Sequence, residues 1–207
     1  MKLPYFLELL AVGVFAVSGC LAAGRKGFDP VGVVVIAVVT AIGGGTVRDL
    51  LLSRHPIAWI SDANYLYAIL TAVALTVLYV RFRPPPGGIL LVADGIGLSV
   101  YAIVGAQLAE DKGCPAVVAV AMGAVTGTAG GTVRDILCND VPILFTSGYL
   151  YATAAVLGAT LYVCLEGTLG RDVAAYTGMA VVGGLRAGAI VYHWDLPRFK
   201  LDDWASP

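Results

Sequence analysis

Charged residues are scarce in this chain, since Asp, Glu, Lys and Arg together make up 13% of its 207 residues. A typical soluble domain carries about 25%, so this chain has too little polar surface to cover a water-soluble globule. The formal net charge of −1 gives no basis for binding nucleic acid. Hydrophobic residues make up 58% of the chain and the mean hydropathy is +0.85, so the bilayer is the expected solvent.

Residue types that usually carry catalysis or bind metals are also few. The chain has two histidines, His55 and His193, and its four cysteines form no CxxC or other ligand-like spacing. The sequence contains no serine triad, no P-loop and no pair of catalytic carboxylates. It therefore predicts that the protein is not an enzyme and that it holds no metal or other resident cofactor.

Seven apolar stretches are long enough to cross the hydrocarbon core, which takes roughly 20 helical residues. Backbone groups in lipid must be hydrogen-bonded within their own segment, so these stretches predict helices. The expected fold class is an all-α integral membrane protein with seven transmembrane helices. The stretches cover about residues 5–23, 29–53, 64–81, 89–109, 115–138, 148–165 and 173–193.

A duplicated motif divides the chain into two halves. Gly-Gly-Gly-Thr-Val-Arg-Asp at 43–49 returns as Ala-Gly-Gly-Thr-Val-Arg-Asp at 129–135, an offset of 86 residues. Each copy contains three helices, an odd number, so the second copy must enter the membrane from the opposite side, giving an inverted repeat. The predicted units are a first three-helix repeat at 5–81, a second, inverted repeat at 89–165, a seventh helix at 173–193 and a cytoplasmic tail at 194–207.

The repeat extends beyond the motif itself. The offset of 86 also relates Glu8 to Asp94. The Tyr-Leu-Tyr sequence at 65–67 matches Tyr-Leu-Tyr at 149–151 if two residues are deleted from the second copy.

The basic residues of the loops predict the orientation. Four lie on the side of the N-terminus and six on the other side, so the N-terminus is expected outside and the C-terminus in the cytoplasm. The four are Lys2, Arg54, Lys112 and Arg171; the six are Arg25, Lys26, Arg81, Arg83, Arg198 and Lys200.

The two glycine runs are candidate pore elements. Consecutive glycines inside a helix predict a kink or an unwound turn, and carbonyls freed by unwinding can coordinate a cation. Close helix packing is the alternative, because small residues are its usual device. The two threonines offer hydroxyls to the path or bond back to a helix carbonyl. These candidates, in the second and fifth helices, are Gly43, Gly44, Gly45, Thr46, Ala129, Gly130, Gly131 and Thr132.

Charged residues near the runs are candidates for the pore mouths, because charges inside a membrane usually face an interior or water. Arg48 is expected either to reach Glu8 or Asp94 or to form a structural pair with Asp49 near the helix end that snorkels towards the headgroups. Glu8 and Asp94 either complement a helix dipole or form acidic vestibules. Arg186 is expected to snorkel as an anchor. The flanking charged set is Arg48, Asp49, Arg134, Asp135, Glu8 and Asp94.

Both copies of Gly-Gly-Thr-Val-Arg-Asp, the acid-led helix before each and the closing His-Trp-Asp-Leu-Pro at 193–197 make the chain resemble the prokaryotic TRIC family of trimeric intracellular cation channel homologues. This family shares a domain also labelled a glycine-transporter or uncharacterised membrane domain. The resemblance implies seven helices, kinks in the second and fifth, and a homotrimer in the prokaryotic inner membrane with a monovalent-cation pore, chiefly for K⁺, in each protomer.

The expected partners are therefore further copies of the chain, membrane lipids and monovalent cations. No cofactor is expected apart from the permeant K⁺ or Na⁺, with bound lipid as a further option. Inverted repeats with broken helices are also transporter architecture, so a secondary transporter of a small amino acid such as glycine is the alternative function. A structural membrane protein without a pathway is the third hypothesis.

Overall fold

The computed structural model describes residues 5–145 and 150–194 of the chain. Within these residues, seven helices are long and apolar enough to span a membrane. Their order agrees with the seven predicted stretches, whereas most of the predicted tail lies outside the described residues. The helices are α1 Tyr5–Arg25, α2 Pro30–Leu51, α3 Asn64–Phe82, α4 Ile89–Asp111, α5 Ala116–Leu137, α6 Tyr151–Leu169 and α7 Arg171–Tyr192. We call the face at which α1 begins the N side and the face at which α7 ends the C side.

Local sequence accounts for several helix ends. Asp29 caps α2 by accepting a hydrogen bond from the backbone N–H of Gly32 at 2.6 Å, and Pro30 occupies the first helical position. Gly27 and Gly113, which the repeat relates, follow α1 and α4 with φ of +71° and +75°. This left-handed conformation suits glycine, so both helices end at matching positions.

The connection between α6 and α7 is shorter than the sequence predicts. A loop is expected near 166–172, but α6 continues to Leu169 and α7 begins at Arg171. Only Gly170 separates them, with φ of +81°. A glycine at positive φ reverses the chain without strain, so one residue replaces the expected loop.

The central helices of the bundle are α1 and α4, which occupy equivalent places in the two repeats. About 56% of the membrane-spanning window of α1 and 78% of that of α4 is buried, against 17% for α3. Gly19 of α1 faces α2, where an added Cβ would lie 2.8 Å from the Cα of Ala37. Its equivalent Gly105 faces α5, where an added Cβ would lie 2.7 Å from the carbonyl oxygen of Met122. Glycine thus lets each central helix pack backbone to backbone on its neighbour.

The helical conformation of α2 and α5 runs without interruption across both glycine runs. An unwound turn, one of the two forms that the sequence predicted, is therefore wrong, whereas a kink within a continuous helix stays a prediction. The backbone groups of 43–45 and 129–131 stay within the helical hydrogen-bonding pattern, which lipid-embedded segments require.

Candidate permeation site at the crossing of two helices

The glycine runs lie where α2 crosses α5. A Cβ added to Gly44 would lie 2.0 Å from the carbonyl oxygen of Thr126, and one added to Gly130 would lie 2.2 Å from that of Thr40. The offset of 86 relates Gly44 to Gly130 and Thr40 to Thr126. The two helices therefore meet about a pseudo-twofold axis, and the close-packing alternative describes what these glycines do here.

The crossing is closed in this structure. A Cβ on Gly43 would lie 3.3 Å from the Cα of Gly130, so the two backbones touch at this level. The two candidate pore elements therefore touch each other in this structure, and their role in permeation stays a prediction. Ala129 stands where the first repeat has Gly43, which makes this crossing slightly unequal in its two halves.

The hydroxyls beside the runs bond to their own helices. Thr46 donates to the carbonyl of Ile42 at 2.8 Å, and its equivalent Thr132 donates to that of Thr128 at 2.9 Å. Thr46 also accepts a hydrogen bond from the indole nitrogen of Trp59 at 3.1 Å. Both hydroxyls thus donate to a carbonyl of their own helix in this conformation, which is the back-bonding alternative predicted for these threonines.

On the N side, Arg48 pairs with its own chain neighbour. Its Nε donates to Oδ1 of Asp49 at 2.8 Å, and both side chains are buried. Oδ2 of Asp49 accepts from the backbone N–H of Ala58 at 3.0 Å, while Arg54 lies 3.5 Å from Oδ1. Arg48 thus forms the predicted structural pair with Asp49, but the pair is buried rather than snorkelled. The expectation that Arg48 bonds to Glu8 or Asp94 is wrong, because the adjacent carboxylate folds back onto it.

A small space lies beside this pair. It measures about 10 Å³ and is lined in part by Arg48, Trp59, Tyr65 and Tyr101. The Nη1 atom of Arg48 has no hydrogen-bond partner among the described residues. A volume of this size holds about one water molecule, which is the ordinary way to satisfy a buried guanidinium nitrogen.

On the C side, Arg134 joins three helices. It donates through Nε to Oδ1 of Asp135 at 2.8 Å and through Nη1 to Oδ1 of Asp94 at 2.6 Å and to Oγ of Ser18 at 3.0 Å. Oδ2 of Asp135 accepts from the backbone N–H of Ile143 at 2.9 Å. Arg134 and Asp94 are both completely buried. The predicted reach of a motif arginine to a distant acid thus occurs, but in the second repeat.

The two leading acids have different surroundings. Glu8 is half-buried and accepts a hydrogen bond from the hydroxyl of Tyr65 at 2.9 Å. Asp94 lies in the second turn of α4, is completely buried and pairs with Arg134. Asp94 therefore neither caps a helix dipole nor lines an open vestibule here, contrary to both expectations, whereas Glu8 keeps access to the N side.

The contacts of these acids also correct the repeat alignment. Tyr65 contacts Glu8, and the hydroxyl of Tyr151 and Oδ1 of Asp94 both lie beside Gly131, 2.6 and 3.0 Å from where its Cβ would be. Tyr151 is thus the equivalent of Tyr65, at the unbroken offset of 86. The predicted two-residue deletion is therefore wrong. It depends on matching the two Tyr-Leu-Tyr sequences, and the second of these lies partly outside the described residues.

Arg186 is buried rather than snorkelled. Only 1% of it is exposed, and its guanidinium carbon lies 4.9 Å from the centre of the Tyr151 ring. Gly95 leaves room for its stem, since an added Cβ would contact the Arg186 Cβ at 3.4 Å. The expectation of an interfacial anchor is wrong, because the small residue on α4 lets the side chain enter the bundle and stack on an aromatic face.

The polar residues thus form two groups, one on each side of the glycine crossing. The N-side cluster consists of Glu8, Arg48, Asp49, Tyr65 and Tyr101, and the C-side cluster consists of Ser18, Asp94, Arg134, Asp135, Tyr151 and Arg186.

The sequence predicts the charged members of both clusters as site residues except Arg186, but not the hydroxyl members Ser18, Tyr65, Tyr101 and Tyr151. A signal for Tyr65 and Tyr151 was present, because each follows the preceding motif arginine by 17 residues.

No group of three or more His, Cys, Asp or Glu side chains in the described part of the chain is arranged to hold a metal ion.

Both halves of the chain match the family model described as "Glycine transporter", over residues 5–81 and 91–167. These ranges differ by 86, the same unbroken offset. A UPF0126 membrane protein of Vibrio cholerae is 42% identical over 203 residues, 97% of this chain and 84% of the relative. The UPF0126 inner membrane protein YadS of Escherichia coli is 38% identical over 206 residues, 97% of this chain and 98% of the relative.

Solved structures agree with these relatives. The TRIC trimeric intracellular cation channel orthologue of Rhodobacter sphaeroides superposes with a TM-score of 0.85 at 36% identity, over 90% of this chain and 96% of that one. A prokaryotic TRIC channel crystallised in 0.5 M KCl superposes with a TM-score of 0.86 at 30% identity, over 92% and 97%. The chain is thus a multi-pass membrane protein that belongs to the family defined by the glycine-transporter model and the UPF0126 proteins, and it has the fold of the prokaryotic TRIC channels.

Proposed function

We propose that the protein is a cation channel with a path through the crossing of α2 and α5. The observation that carries this proposal is the superposition on solved TRIC channels over at least 90% of the chain at 30–36% identity. Those relatives are channels and not enzymes, in agreement with the prediction from the sequence that this chain is not an enzyme. The two-fold symmetry of the crossing supports a path whose narrowest backbone contacts are alike in the two repeats.

Conduction requires the two helices to separate, because their backbones touch at Gly44 and Gly130. The N-side cluster then forms one mouth and the C-side cluster the other. A passing cation needs acidic oxygens that are not already paired with arginine. Glu8 supplies one on the N side, whereas on the C side Asp94 must first leave Arg134. The C-side cluster is therefore the tighter barrier in the proposed path.

The finer features of the proposal are selectivity, assembly and orientation. K⁺ is the proposed permeant ion, the protein is proposed to assemble as a homotrimer with a path in each protomer, and the N-terminus is placed outside. The K⁺-containing crystal of a solved relative and the trimer named for the Rhodobacter protein support the first two. The excess of basic residues in the C-side loops supports the third.

A secondary transporter of glycine is the second candidate. The name of the matching family model favours it, and inverted repeats are common in transporters. Against it, the described residues place no unpaired arginine or helix N-terminus at the crossing where a substrate carboxylate would bind; the buried arginines there already contact acids.

Purified protein in proteoliposomes distinguishes the two candidates. A channel gives step-like currents whose reversal potential follows the K⁺ gradient across the bilayer. A transporter instead gives saturable uptake of labelled glycine that depends on an ion gradient. Glycine uptake without such currents would contradict the channel proposal, and inactivity in both assays would favour a structural protein.

The C-side barrier has its own test. Asp94→Asn removes the acid that Arg134 holds, and Glu8→Gln is the matched change at the equivalent position in the other repeat. If the barrier proposal is right, Asp94→Asn changes open probability far more than Glu8→Gln does. Equal effects of the two changes would mean that the C-side cluster is not the tighter barrier.

A further inference from the structure

The seventh helix fills a groove in the second repeat. It packs on α4 and α6 through small residues: a Cβ added to Gly178 would lie 2.7 Å from Cδ1 of Ile103 and 2.9 Å from the carbonyl oxygen of Gly158. Tyr162 completes this surface, with its Cβ 3.2 Å from the same point. A helix-sized groove between the first and third helices of the second repeat is thus occupied by the chain itself.

The first repeat has the same groove without an occupant. The offset of 86 relates Ile103, Gly158 and Tyr162 to Val17, Ala72 and Thr76. These three residues line an apolar groove of about 590 Å³ between α1 and α3. No helix among the described residues covers it, and α3 is correspondingly the least buried of the seven spans.

The charge at the end of the groove is reversed between the repeats. In the second repeat, the end is acidic: Asp111 pairs with Arg171 of α7 at 2.7 Å. The equivalent of Asp111 in the first repeat is Arg25, which lines the C-side continuation of the open groove. The occupant of the first groove must therefore bring a negative charge where α7 brings a positive one.

A second apolar groove runs along the other flank of α3. It lies between α2 and α3, measures about 540 Å³ and ends at Arg81. Arg25, Arg81 and the following Arg83 are all exposed, and none forms an ion pair with any residue in the described ranges. Each of the two apolar grooves that flank α3 thus has an exposed arginine at its C-side end.

We propose that an anionic two-chain phospholipid sits astride α3, with one acyl chain in each groove and its phosphate between Arg25 and Arg81. The apolar lining of the grooves suits acyl chains, and basic residues at a membrane face recognise anionic headgroups. The loop charges place this side in the cytoplasm, where the leaflet is rich in anionic lipid. A helix of a second copy is a poorer fit, because it would have to present an acidic end at this depth.

Photocrosslinking tests the proposal on the full-length protein. Leu75, which lines the first groove and is 62% exposed, is replaced by the photoreactive residue p-benzoylphenylalanine. The same replacement at Val156, an exposed position on α6, is the control. The protein is irradiated in vesicles of equal amounts of phosphatidylglycerol and phosphatidylcholine with identical chains, and the adducts are identified by mass spectrometry. The expected result is a phosphatidylglycerol adduct at 75 that exceeds both the phosphatidylcholine adduct and the adduct at 156.

Charge variants then test the headgroup. Arg25→Gln or Arg81→Gln is each expected to lower the phosphatidylglycerol adduct at 75 by about fivefold, the effect of one basic contact at a membrane surface. Lys112→Gln, a change at an exposed basic residue on the N side, should leave it unaltered. Equal adducts of the two lipids, an adduct no greater than at 156, insensitivity to the arginines, or a crosslink to a second chain would each overturn the proposal. If a glutamine variant aggregates on sizing, Arg25→Lys or Arg81→Lys is used in its place. The lysine keeps the positive charge, so this variant must retain the preference for phosphatidylglycerol over phosphatidylcholine.

Discussion

Three arginines, Arg48, Arg134 and Arg186, lie fully buried in a membrane protein that has few charges in all. An isolated charge at that depth is costly, so each is expected to have a partner. Arg48 and Arg134 have their own aspartates, and Arg186 lies over Tyr151. Removing one partner of a buried pair leaves an uncompensated charge, so it destabilises a protein more than replacing both partners together does.

Asp94→Asn is predicted to destabilise the protein by about 3–5 kcal/mol, the usual cost of removing one partner of a buried ion pair. It leaves Arg134 with Asp135 but without the contact to α4 at 2.6 Å. The measurement is the midpoint of thermal unfolding in detergent, followed by loss of the monodisperse peak on sizing.

Glu8→Gln is the matched control, since Glu8 is the equivalent position but is half-buried and bonded only to a tyrosine hydroxyl among the hydrogen bonds seen here. A glutamine keeps that acceptor, so a small change is expected. A loss as large as that of Asp94→Asn would mean that the asymmetry between the clusters has no energetic consequence.

Gly44→Ala and Gly130→Ala are each predicted to cost about 1–3 kcal/mol, the range for overpacking a close contact. The added methyl would meet a carbonyl oxygen of the facing helix at 2.0 or 2.2 Å, and backbone cannot move aside as a side chain can. Thermal unfolding again provides the measurement. Gly183→Ala, where an added Cβ meets nothing within 4 Å, should lie within about 1 kcal/mol of the parent. Similar effects at all three positions would mean that the changes reflect the replacement of any helical glycine and not the close contact at the crossing.

At the scale of helices, contacts between small residues decide which elements touch. Gly19 and Gly105 bring the central helices onto α2 and α5, and Gly158 and Gly178 bring α6 onto α7. Helices in a bilayer gain little from hydrophobic association, because lipid is as apolar as the side chains. Close approach of backbones is then the main source of specificity, and bulk at these points separates the elements.

Gly178→Val is predicted to displace α7 from α4 and α6. Its branched side chain would overlap the carbonyl of Gly158 and the Ile103 side chain, both under 3.0 Å from the Cβ position. The expected outcome is a lower unfolding midpoint and faster cleavage by protease at the Gly170 connection. Gly184→Val, on the same helix but with nothing within 4 Å, is the control. Unchanged cleavage in Gly178→Val would show that other contacts hold α7.

At the scale of the whole molecule, a pseudo-twofold axis relates α1–α3 to α4–α6 and passes through the crossing of α2 and α5. The two halves share backbone contacts at related positions but differ in charge. The second half is closed by α7 and neutralised by Arg171, whereas the first leaves an apolar groove and exposed arginines. The symmetric part suits the proposed path through the centre, and the asymmetric part leaves one apolar face that no other described residues cover.

The proposed orientation predicts opposite accessibility of two loops. In a variant without native cysteines, Lys112→Cys should react with a membrane-impermeant maleimide in intact cells. Arg83→Cys should react only after permeabilisation, because an odd number of spans separates the two positions and the C side faces the cytoplasm. The reverse pattern would invert the orientation, and labelling of both in intact cells would contradict the span count.

Much of the fold follows from the sequence because membranes impose simple rules. Span length and backbone satisfaction fix seven helices, and an odd number per repeat fixes the inversion. Local signals fared worse where they compete with packing. Two examples are the predicted loop near 166–172, which a single glycine replaces, and the predicted snorkelling of Arg186, which a glycine on α4 overrides.

The sequence by itself determined the spans, the duplication and the paired Gly-Gly-Thr-Val-Arg-Asp motifs, because these depend on composition and on order along the chain. Only the tertiary structure decided that the glycines of the two motifs touch, that Arg134 reaches Asp94 while Arg48 does not reach Glu8, and that one groove is filled and its equivalent open. These outcomes depend on distances between helices far apart in sequence. Small residues set those distances through contacts that no single segment of the sequence contains.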